Sequence, residues 1–295
     1  MKRYLIQTKP RILLLLTFTG IIGYMIPSLS DISILNLFLF TLFGVFSAAG
    51  GLTINNVIDR DIDINMDRTS DRPSVGPDAI PVNRLMIFGL ILSIVGFAGG
   101  YLLFGFYTFF FFAFGNLFYL FGYSLYLKRK SIWNTILGGL ASPAPVWAAF
   151  AARYEMGSIT PNWTFLGVSL EGWLLGGLVF IWTPSHTWAM ATKNFDDYSR
   201  TSIPMLPVVI GIEKTGVFTF IGGILTIIYG NVISYVISSR PLVFLALLLP
   251  NIYFLRGLWV FYRDPSPETG KYCFKTHNLW LAIIFSILLL FIRTN

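Results

Sequence analysis

Nine apolar segments, each of about 17 to 24 residues, recur from one end of this 295-residue chain to the other. A helix needs roughly 20 apolar residues to cross a bilayer core about 30 Å thick. The segments lie near residues 12–29, 33–56, 84–104, 107–127, 132–152, 169–190, 215–237, 241–261 and 277–293. Hydrophobic residues make up 55% of the sequence and charged residues 12%, a balance that is rare in soluble domains. The sequence predicts an all-α, polytopic membrane protein of about nine transmembrane helices around a central cavity, with one domain over residues 1–295.

The basic residues fall almost entirely in alternate loops of this arrangement. If the amino terminus lies inside, eighteen of the 21 Lys and Arg residues lie in inner segments, and only Arg153, Arg240 and Arg293 lie outside. Positive charge concentrates on the cytoplasmic side of membrane proteins, and merging or splitting one segment would reverse every later loop. The pattern predicts a cytoplasmic amino terminus and a carboxy terminus outside.

The amino-terminal residues join a basic stretch to an apolar one without an evident cleavage site, so we expect a retained first helix. They include no Arg-rich, Ser-rich transit extension, which favours a prokaryotic plasma membrane. The single cysteine, Cys273, excludes an internal disulfide and a multi-cysteine metal site. The net charge of +7 is explained by topology signals beside hydrophobic helices, so the expected surroundings are lipid and not nucleic acid.

Eleven of the fourteen acidic residues lie in three inner loops. In the first of these loops, Asn55, Asp59 and Asp63 stand four residues apart and would share one face of a helix. Mg²⁺ takes oxygen ligands of this kind and completes its shell with water and substrate phosphates. Arg68 and Arg72 follow closely, and guanidinium groups suit phosphate oxygens. The alternative is a solvated loop whose charges pair with one another, but acids near membrane depth are costly without a role.

At these residues the chain resembles the UbiA superfamily of intramembrane prenyltransferases. Their first motif, N-D-x-x-D-x-x-x-D, is matched by Asn55, Asn56, Asp59 and Asp63, with Asn56 in place of the first Asp. That substitution, and the R-T-x-x-R-P element from Arg68 to Pro73, are similar to the haem O synthase (protohaem IX farnesyltransferase) branch. Further segments that resemble this branch are TKPRI at 8–12, YSLYLKRKSIWNTILGG at 123–139 and WTPSHTWAMATKNFDDYSRTSIPMLPVVIG at 182–211.

The resemblance implies an Mg²⁺-dependent transfer of a farnesyl group from farnesyl diphosphate to a vinyl group of haem b, with addition of water. It also implies that His186, in T-P-x-H, handles haem as an axial imidazole or as a donor to a propionate. By residue type alone, a single histidine near a helix end is more often structural, and we expect this of His277. A haem A synthase or a terminal oxidase as assembly partner is left open.

The second acidic loop departs from the superfamily pattern, which has a D-x-x-x-D pair there. Alignment places Asn194 and Tyr198 where those acids would be, although Asp196 and Asp197 lie between them and could still supply a metal ligand. Four other basic residues are candidate diphosphate contacts by position, although topology alone would place basic residues there. They are Lys128, Arg129, Lys193 and Arg200.

Two other functions are compatible with parts of this pattern. Another UbiA-type enzyme that prenylates a quinone precursor or a lipid would differ at His186 and in the second acidic loop. A transporter would carry ionisable groups near the bilayer midplane and broken helices in corresponding halves. Here the acids cluster at one membrane face, which favours the prenyltransferase.

Overall fold

The computed structural model describes residues 2–291, and within this range a long helix occupies each predicted segment. In chain order the long helices are α1 (Pro10–Met25), α2 (Ile34–Ile58), α3 (Val82–Phe104), α4 (Phe106–Lys130), α5 (Asn134–Glu155), α6 (Leu170–Lys193), α7 (Ile212–Ser238), α8 (Val243–Arg263) and α9 (Pro267–Leu290). Short helices lie in the connections, at Lys2–Gln7, Arg60–Asp63, Phe195–Ser199 and Leu206–Ile210. An antiparallel β-hairpin pairs Thr164–Phe165 with Val168–Ser169.

Seven helices in the described range are long and apolar enough to cross a membrane, namely all except α1 and α6. The predicted all-α, multi-pass membrane fold is therefore confirmed. Helix α1 has 16 residues, and α6 interrupts its apolar run with Thr183, Ser185 and His186. Nine crossings and the orientation of the two termini remain predictions.

Two helix ends differ from the predicted segments for local reasons. Helix α1 ends at Met25, before Pro27, which cannot donate a backbone hydrogen bond to a continuing helix. Helix α9 begins at Pro267, well before residue 277, because Ser266 and Thr269 form a capping box at its start. The predicted end of that segment, residues 292 and 293, lies outside the described residues.

Helices α2 and α3 approach each other closely through glycine residues. A methyl group added to Gly96 would lie 2.7 Å from the carbonyl oxygen of Phe43, and one added to Gly89 would lie 2.7 Å from the side chain of Ile54. Small residues permit such close approach between membrane helices. Because α2 ends at the first acidic motif, this packing fixes where that motif lies in the bundle.

We predict that Gly96→Val destabilises the protein, because its side chain must push α2 and α3 apart. Overpacking of this kind costs about 1–3 kcal/mol. The midpoint of thermal unfolding in detergent, followed by tryptophan fluorescence, should fall by several degrees. Ala98→Val is the matched control, since Ala98 is exposed on the same helix and its variant should unfold with the wild type. Equal midpoints for both variants would contradict the close approach.

Candidate active site

A cavity of about 400 Å³ lies among α1, α2, α4, α5 and α6. Most of its wall is apolar and includes Phe40, Phe111 and Phe112, with several glycines that leave room between the helices. One end of the cavity is polar and is lined by residues of the first acidic loop. We call this the acidic end of the cavity. Its acidic and basic lining residues are Lys9, Asp59, Asp63, Arg68, Arg72 and Lys128.

The predicted helical face of Asn55, Asp59 and Asp63 is present at the acidic end. Helix α2 stops at Ile58, but backbone hydrogen bonds continue from Asp59 N to Asn55 O (2.9 Å) and from Asp63 N to Asp59 O (2.8 Å). The short helix Arg60–Asp63 therefore keeps the four-residue spacing in register. All three side chains line the cavity, and the residues are only 1%, 3% and 3% exposed.

The side-chain amide of Asn55 is oriented by two acceptors. Its Nδ2 donates to Asp59 Oδ2 (2.9 Å) and to Ser124 Oγ (2.8 Å), and its Oδ1 accepts a hydrogen bond from the ammonium group of Lys9. Ser124 lies in a π-helical stretch of α4, Phe118–Leu127, and donates to the carbonyl oxygen of Tyr119 (2.8 Å). Such wide turns are frequent at functional sites. Here the wide turn positions Ser124, which holds the amide nitrogen of Asn55 so that the amide oxygen faces the ammonium group of Lys9.

The carboxylates at the acidic end are held by basic side chains. Lys128 Nζ lies 2.6 Å from Asp59 Oδ2, and Arg72 Nη1 lies 2.6 Å from Asp63 Oδ2. Burial, followed by repulsion from Arg72, lowers the pKa of Lys9 to about 7. Four basic residues line the cavity against two carboxylates. The acidic end therefore has surplus positive charge that suits an anionic ligand.

One carboxylate oxygen at the acidic end lacks a partner. Asp59 Oδ1 is buried and accepts no hydrogen bond from any residue between 2 and 291; Arg129 Nη2 is 4.0 Å away, beyond hydrogen-bond distance. A buried charged oxygen without a partner is costly. Together with Asn55 and Asp63, this oxygen forms a donor set that fits Mg²⁺, which binds to a few protein oxygens and to substrate phosphates.

Residues of the second acidic loop form hydrogen bonds with the first loop. Asp197 Oδ1 accepts a hydrogen bond from Asp67 N (2.7 Å), and Asp197 Oδ2 lies 3.6 Å from Arg68 Nε. Arg68 Nη2 donates to the hydroxyl of Tyr198 (3.1 Å), which also lines the cavity. Asp196 is exposed. The two aspartates expected as possible metal ligands thus point elsewhere: Asp197 holds Arg68 in place, and Asp196 faces out of the protein.

Three predicted diphosphate contacts lie outside the cavity lining in the described structure. Arg129 makes paired hydrogen bonds to Asp61 (2.7 and 2.8 Å), and Arg200 makes paired hydrogen bonds to Asp67 (2.8 and 2.7 Å). Hydrogen bonding to these arginines lowers the pKa of Asp61 and of Asp67. Lys193 lies over the ring of Phe274, 5.1 Å from its centroid. The sequence predicted the end of the bundle at which these residues lie, but it did not predict which side chains they contact.

His186 also lies outside the cavity lining, on the neighbouring face of α6. Its ring stacks on Trp182 at 3.9 Å and on Phe274 at 4.7 Å between centroids. By contrast, both ring nitrogens of His277 are engaged, with Ser185 Oγ at 3.0 Å and the carbonyl oxygen of Cys273 at 2.8 Å. His277 is therefore a hydrogen-bonded core residue.

Lys9, Ser124 and Tyr198 are site residues that we did not predict from the sequence. We interpreted Lys9 only as one of the basic residues that indicate membrane topology. Ser124 and Tyr198 belong to no distinctive sequence pattern. The one available signal for Lys9 was its place in the TKPRI segment, directly before the proline that starts α1. Each of the three reaches the first acidic loop from a distant part of the chain.

Known proteins resemble this chain over nearly its whole length. A protoheme IX farnesyltransferase of Thermus thermophilus is 34% identical over 290 residues; the match covers 96% of this chain and 45% of that protein. Protoheme IX farnesyltransferase 1 of Cenarchaeum symbiosum is 32% identical, covering 95% and 92%. A Saccharolobus islandicus protoheme IX farnesyltransferase is 32% identical, covering 98% and 96%. The chain thus spans less than half of the Thermus relative and nearly all of the two archaeal ones.

Solved structures share the fold. A digeranylgeranylglyceryl phosphate synthase superposes with a TM-score of 0.74 at 19% identity, covering 98% of this chain and 97% of the other. A UbiA homologue from Archaeoglobus fulgidus bound to GPP and Mg²⁺ superposes with a TM-score of 0.69 at 16% identity, covering 97% and 99%. The family model described as the UbiA prenyltransferase family matches residues 14–289. The resemblance noted in the sequence is thereby confirmed: this chain belongs to the UbiA prenyltransferase family.

Proposed function

We propose that this protein is a haem O synthase, which transfers the farnesyl group of farnesyl diphosphate to a vinyl group of protohaem IX with addition of water. The observation that carries the proposal is the acidic end of the cavity, where buried carboxylates and surplus basic side chains adjoin an apolar chamber. The protoheme IX farnesyltransferases that match this chain support the choice of donor and acceptor.

The residues that would hold Mg²⁺ are Asn55, Asp59 and Asp63. The unpartnered Asp59 Oδ1 and the oriented amide of Asn55 support this assignment. When bound, the ion would neutralise negative charge on the departing diphosphate. A homologue of the same fold, from Archaeoglobus fulgidus, is bound to GPP and Mg²⁺.

The diphosphate would lie among Lys9, Arg68, Arg72 and Lys128. Each of these side chains reaches the cavity, and the two arginines can bind phosphate oxygens through paired donors. Arg68 is held by Asp197 and Tyr198, so it would be in position before the substrate arrives. Preorganised positive charge near the leaving oxygens lowers the barrier to breaking the C1–O bond.

The farnesyl chain would extend into the apolar part of the cavity. Breaking the bond between C1 and the diphosphate oxygen leaves an allylic cation, which the apolar wall shields from water and the faces of nearby aromatic rings stabilise. The vinyl group of the haem then attacks C1 with its terminal carbon. The cation that forms beside the porphyrin takes up water and loses a proton, which gives a hydroxyalkyl-farnesyl haem.

We further propose that His186 contacts the haem and that the acidic end of the cavity faces the cytoplasm at the plasma membrane. The ring Nδ1 of His186, which has no hydrogen-bond partner among residues 2–291, and the aromatic surroundings of the ring support the first point. The separation of basic residues between alternate loops supports the second.

We predict that Asp59→Asn lowers the rate of farnesyl transfer at least about 100-fold, because the buried oxygen set loses a charged ligand. The assay combines purified protein, Mg²⁺, haem b and farnesyl diphosphate, and measures farnesylated haem by chromatography. Removing Mg²⁺ with a chelator should stop the wild-type reaction. Asp71→Asn is the matched control, because Asp71 is exposed in the same loop and does not line the cavity.

Undiminished turnover by Asp59→Asn would refute the metal role. Transfer to a quinone precursor or to a lipid, with none to haem, would favour the other UbiA-type reaction. The thermal midpoint of each variant, measured beside its activity, separates a lost ligand from a lost fold.

A second prediction separates the two aspartates of the second loop. Asp197→Ala should raise the KM for farnesyl diphosphate about tenfold, since a hydrogen bond to a charged group contributes about 1.5–3 kcal/mol. The Mg²⁺ concentration that gives half-maximal rate should stay unchanged, because Asp197 positions Arg68 and does not bind the ion. Asp196→Ala is the control and should match the wild type in both quantities. A raised Mg²⁺ requirement in either variant would instead identify that aspartate as a metal ligand.

A further inference from the structure

Four basic residues lie at the start of α1, the end of α6 and the start of α9, outside the cavity lining but at the same end of the bundle as the acidic loops. We call them the basic cluster: Arg11, Lys193, Lys271 and Lys275. The ammonium group of Lys193 is repelled by the other three charges and by Arg68. Within residues 2–291, no member of the basic cluster forms an ion pair or a side-chain hydrogen bond with another residue.

The basic residues beside the two acidic loops are, by contrast, mostly paired with acids. Arg68, Arg72, Lys128, Arg129 and Arg200 lie at the same end, and each forms an ion pair with an aspartate of the two acidic loops. Topology explains why basic residues occur at this end, but it does not explain why three further positive charges act on Lys193 while none of the four has an acidic partner in the described residues. Like charges held together favour binding of an anion between them.

A stack of aromatic rings that includes His186 adjoins the basic cluster. Phe274 contacts both Lys193, 5.1 Å from its ring centroid, and His186, whose ring centroid is 4.7 Å away. His186 Nδ1 is buried without a partner in the described chain, and the other face of its ring is covered by Trp182. Both faces of the His186 ring are thus covered, so a flat aromatic ligand would meet the partly exposed edge of His186 and Phe274, with positive charges beyond it.

The spacing of His186 and Lys193 is compatible with a porphyrin. Lys193 follows His186 by seven residues on α6, which is about 10 Å along the helix axis. This separation is comparable with the reach from the centre of a porphyrin ring to its propionate carboxylates. Lys271 and Lys275 belong to the same helix as Phe274, three residues before it and one residue after it.

The site also borders the cavity. Thr183, Thr187 and Met190 line the cavity from the adjoining face of α6, and α1 contributes both Arg11 and the cavity residue Ile12. A ring held against His186 could therefore turn one edge toward the apolar chamber while its carboxylates stay at the basic cluster. The acceptor would approach the reacting carbon from beside the diphosphate and would not share the diphosphate's cations.

We propose that the basic cluster binds the two carboxylates of a porphyrin acceptor whose ring lies against the partly exposed edge of His186 and Phe274. This inference rests on the proposed function for the identity of the acceptor. It assigns Lys193 to the acceptor and not to the diphosphate.

The test measures haem affinity by titration of the purified protein, following the Soret absorption band. The variant Lys193→Gln/Lys271→Gln/Lys275→Gln should bind haem b at least tenfold more weakly than the wild type. The control Arg84→Gln/Lys130→Gln/Lys214→Gln removes the same charge at exposed positions outside both sites and should bind haem as the wild type does. Replacing the same three lysines of the cluster by arginine should retain affinity.

A second experiment changes the ligand and uses the wild-type protein. Haem b dimethyl ester, whose carboxylates are blocked, should bind the wild type at least tenfold more weakly than haem b, and the triple Gln variant should no longer discriminate between them. Equal affinities of the wild type for the two haems would overturn the proposal, even if the triple variant failed to fold.

An anionic lipid headgroup is the competing occupant. Nanodiscs of phosphatidylcholine, with and without phosphatidylglycerol, test it: loss of bound phosphatidylglycerol in the triple variant with unchanged haem affinity would overturn the proposal. Farnesyl transfer is measured on the same samples. If haem binding depends on the basic cluster but no farnesylated haem forms, the proposed function alone is refuted. If farnesylated haem forms and the triple Gln variant binds haem as tightly as the wild type, this site alone is refuted.

Discussion

The burial of two carboxylates at the end of an apolar helix bundle is the constraint on which the site depends. Asp59 and Asp63 are almost fully removed from solvent, and a charge in such surroundings must be paired. Lys128 from α4 pairs with Asp59, and Arg72 from the same loop pairs with Asp63, while Lys9 donates to the neighbouring Asn55 from just before α1. These pairings join three parts of the chain around the acidic end of the cavity.

The same carboxylates explain why the helices must be positioned accurately. Helix α2 holds Asn55 and leads into Asp59, and its glycine contacts with α3 set its position in the bundle. Asp197 and Tyr198 then hold the first loop from the other half of the chain. The two loops thus act as one unit, in which the second loop contributes orientation and the first contributes the polar groups of the cavity.

The sequence was most informative where a signal was local. Apolar length located the helices, and the spacing of Asn55, Asp59 and Asp63 predicted a shared face that the backbone hydrogen bonds maintain. Partners that depend on tertiary packing were not predictable. Lys9 lies 46 residues from Asn55, and Tyr198 lies 130 residues from Arg68. Basic residues could be assigned to one end of the bundle, but their spacing did not indicate which aspartate would form an ion pair with Arg129 or with Arg200.

The π-helical stretch of α4 has a consequence for how this family can change. Tyr119 and Lys128 both line the cavity although they are nine residues apart, a separation that in a regular α-helix of 3.6 residues per turn would put them on opposite sides. The wide turns thus change the rotation of the helix so that both side chains face the cavity. Deleting a single residue there would leave an apolar helix of almost the same length, yet rotate Lys128 by about 100° away from Asp59. Sequence length in α4 is therefore under a constraint that neither hydropathy nor helix propensity would reveal.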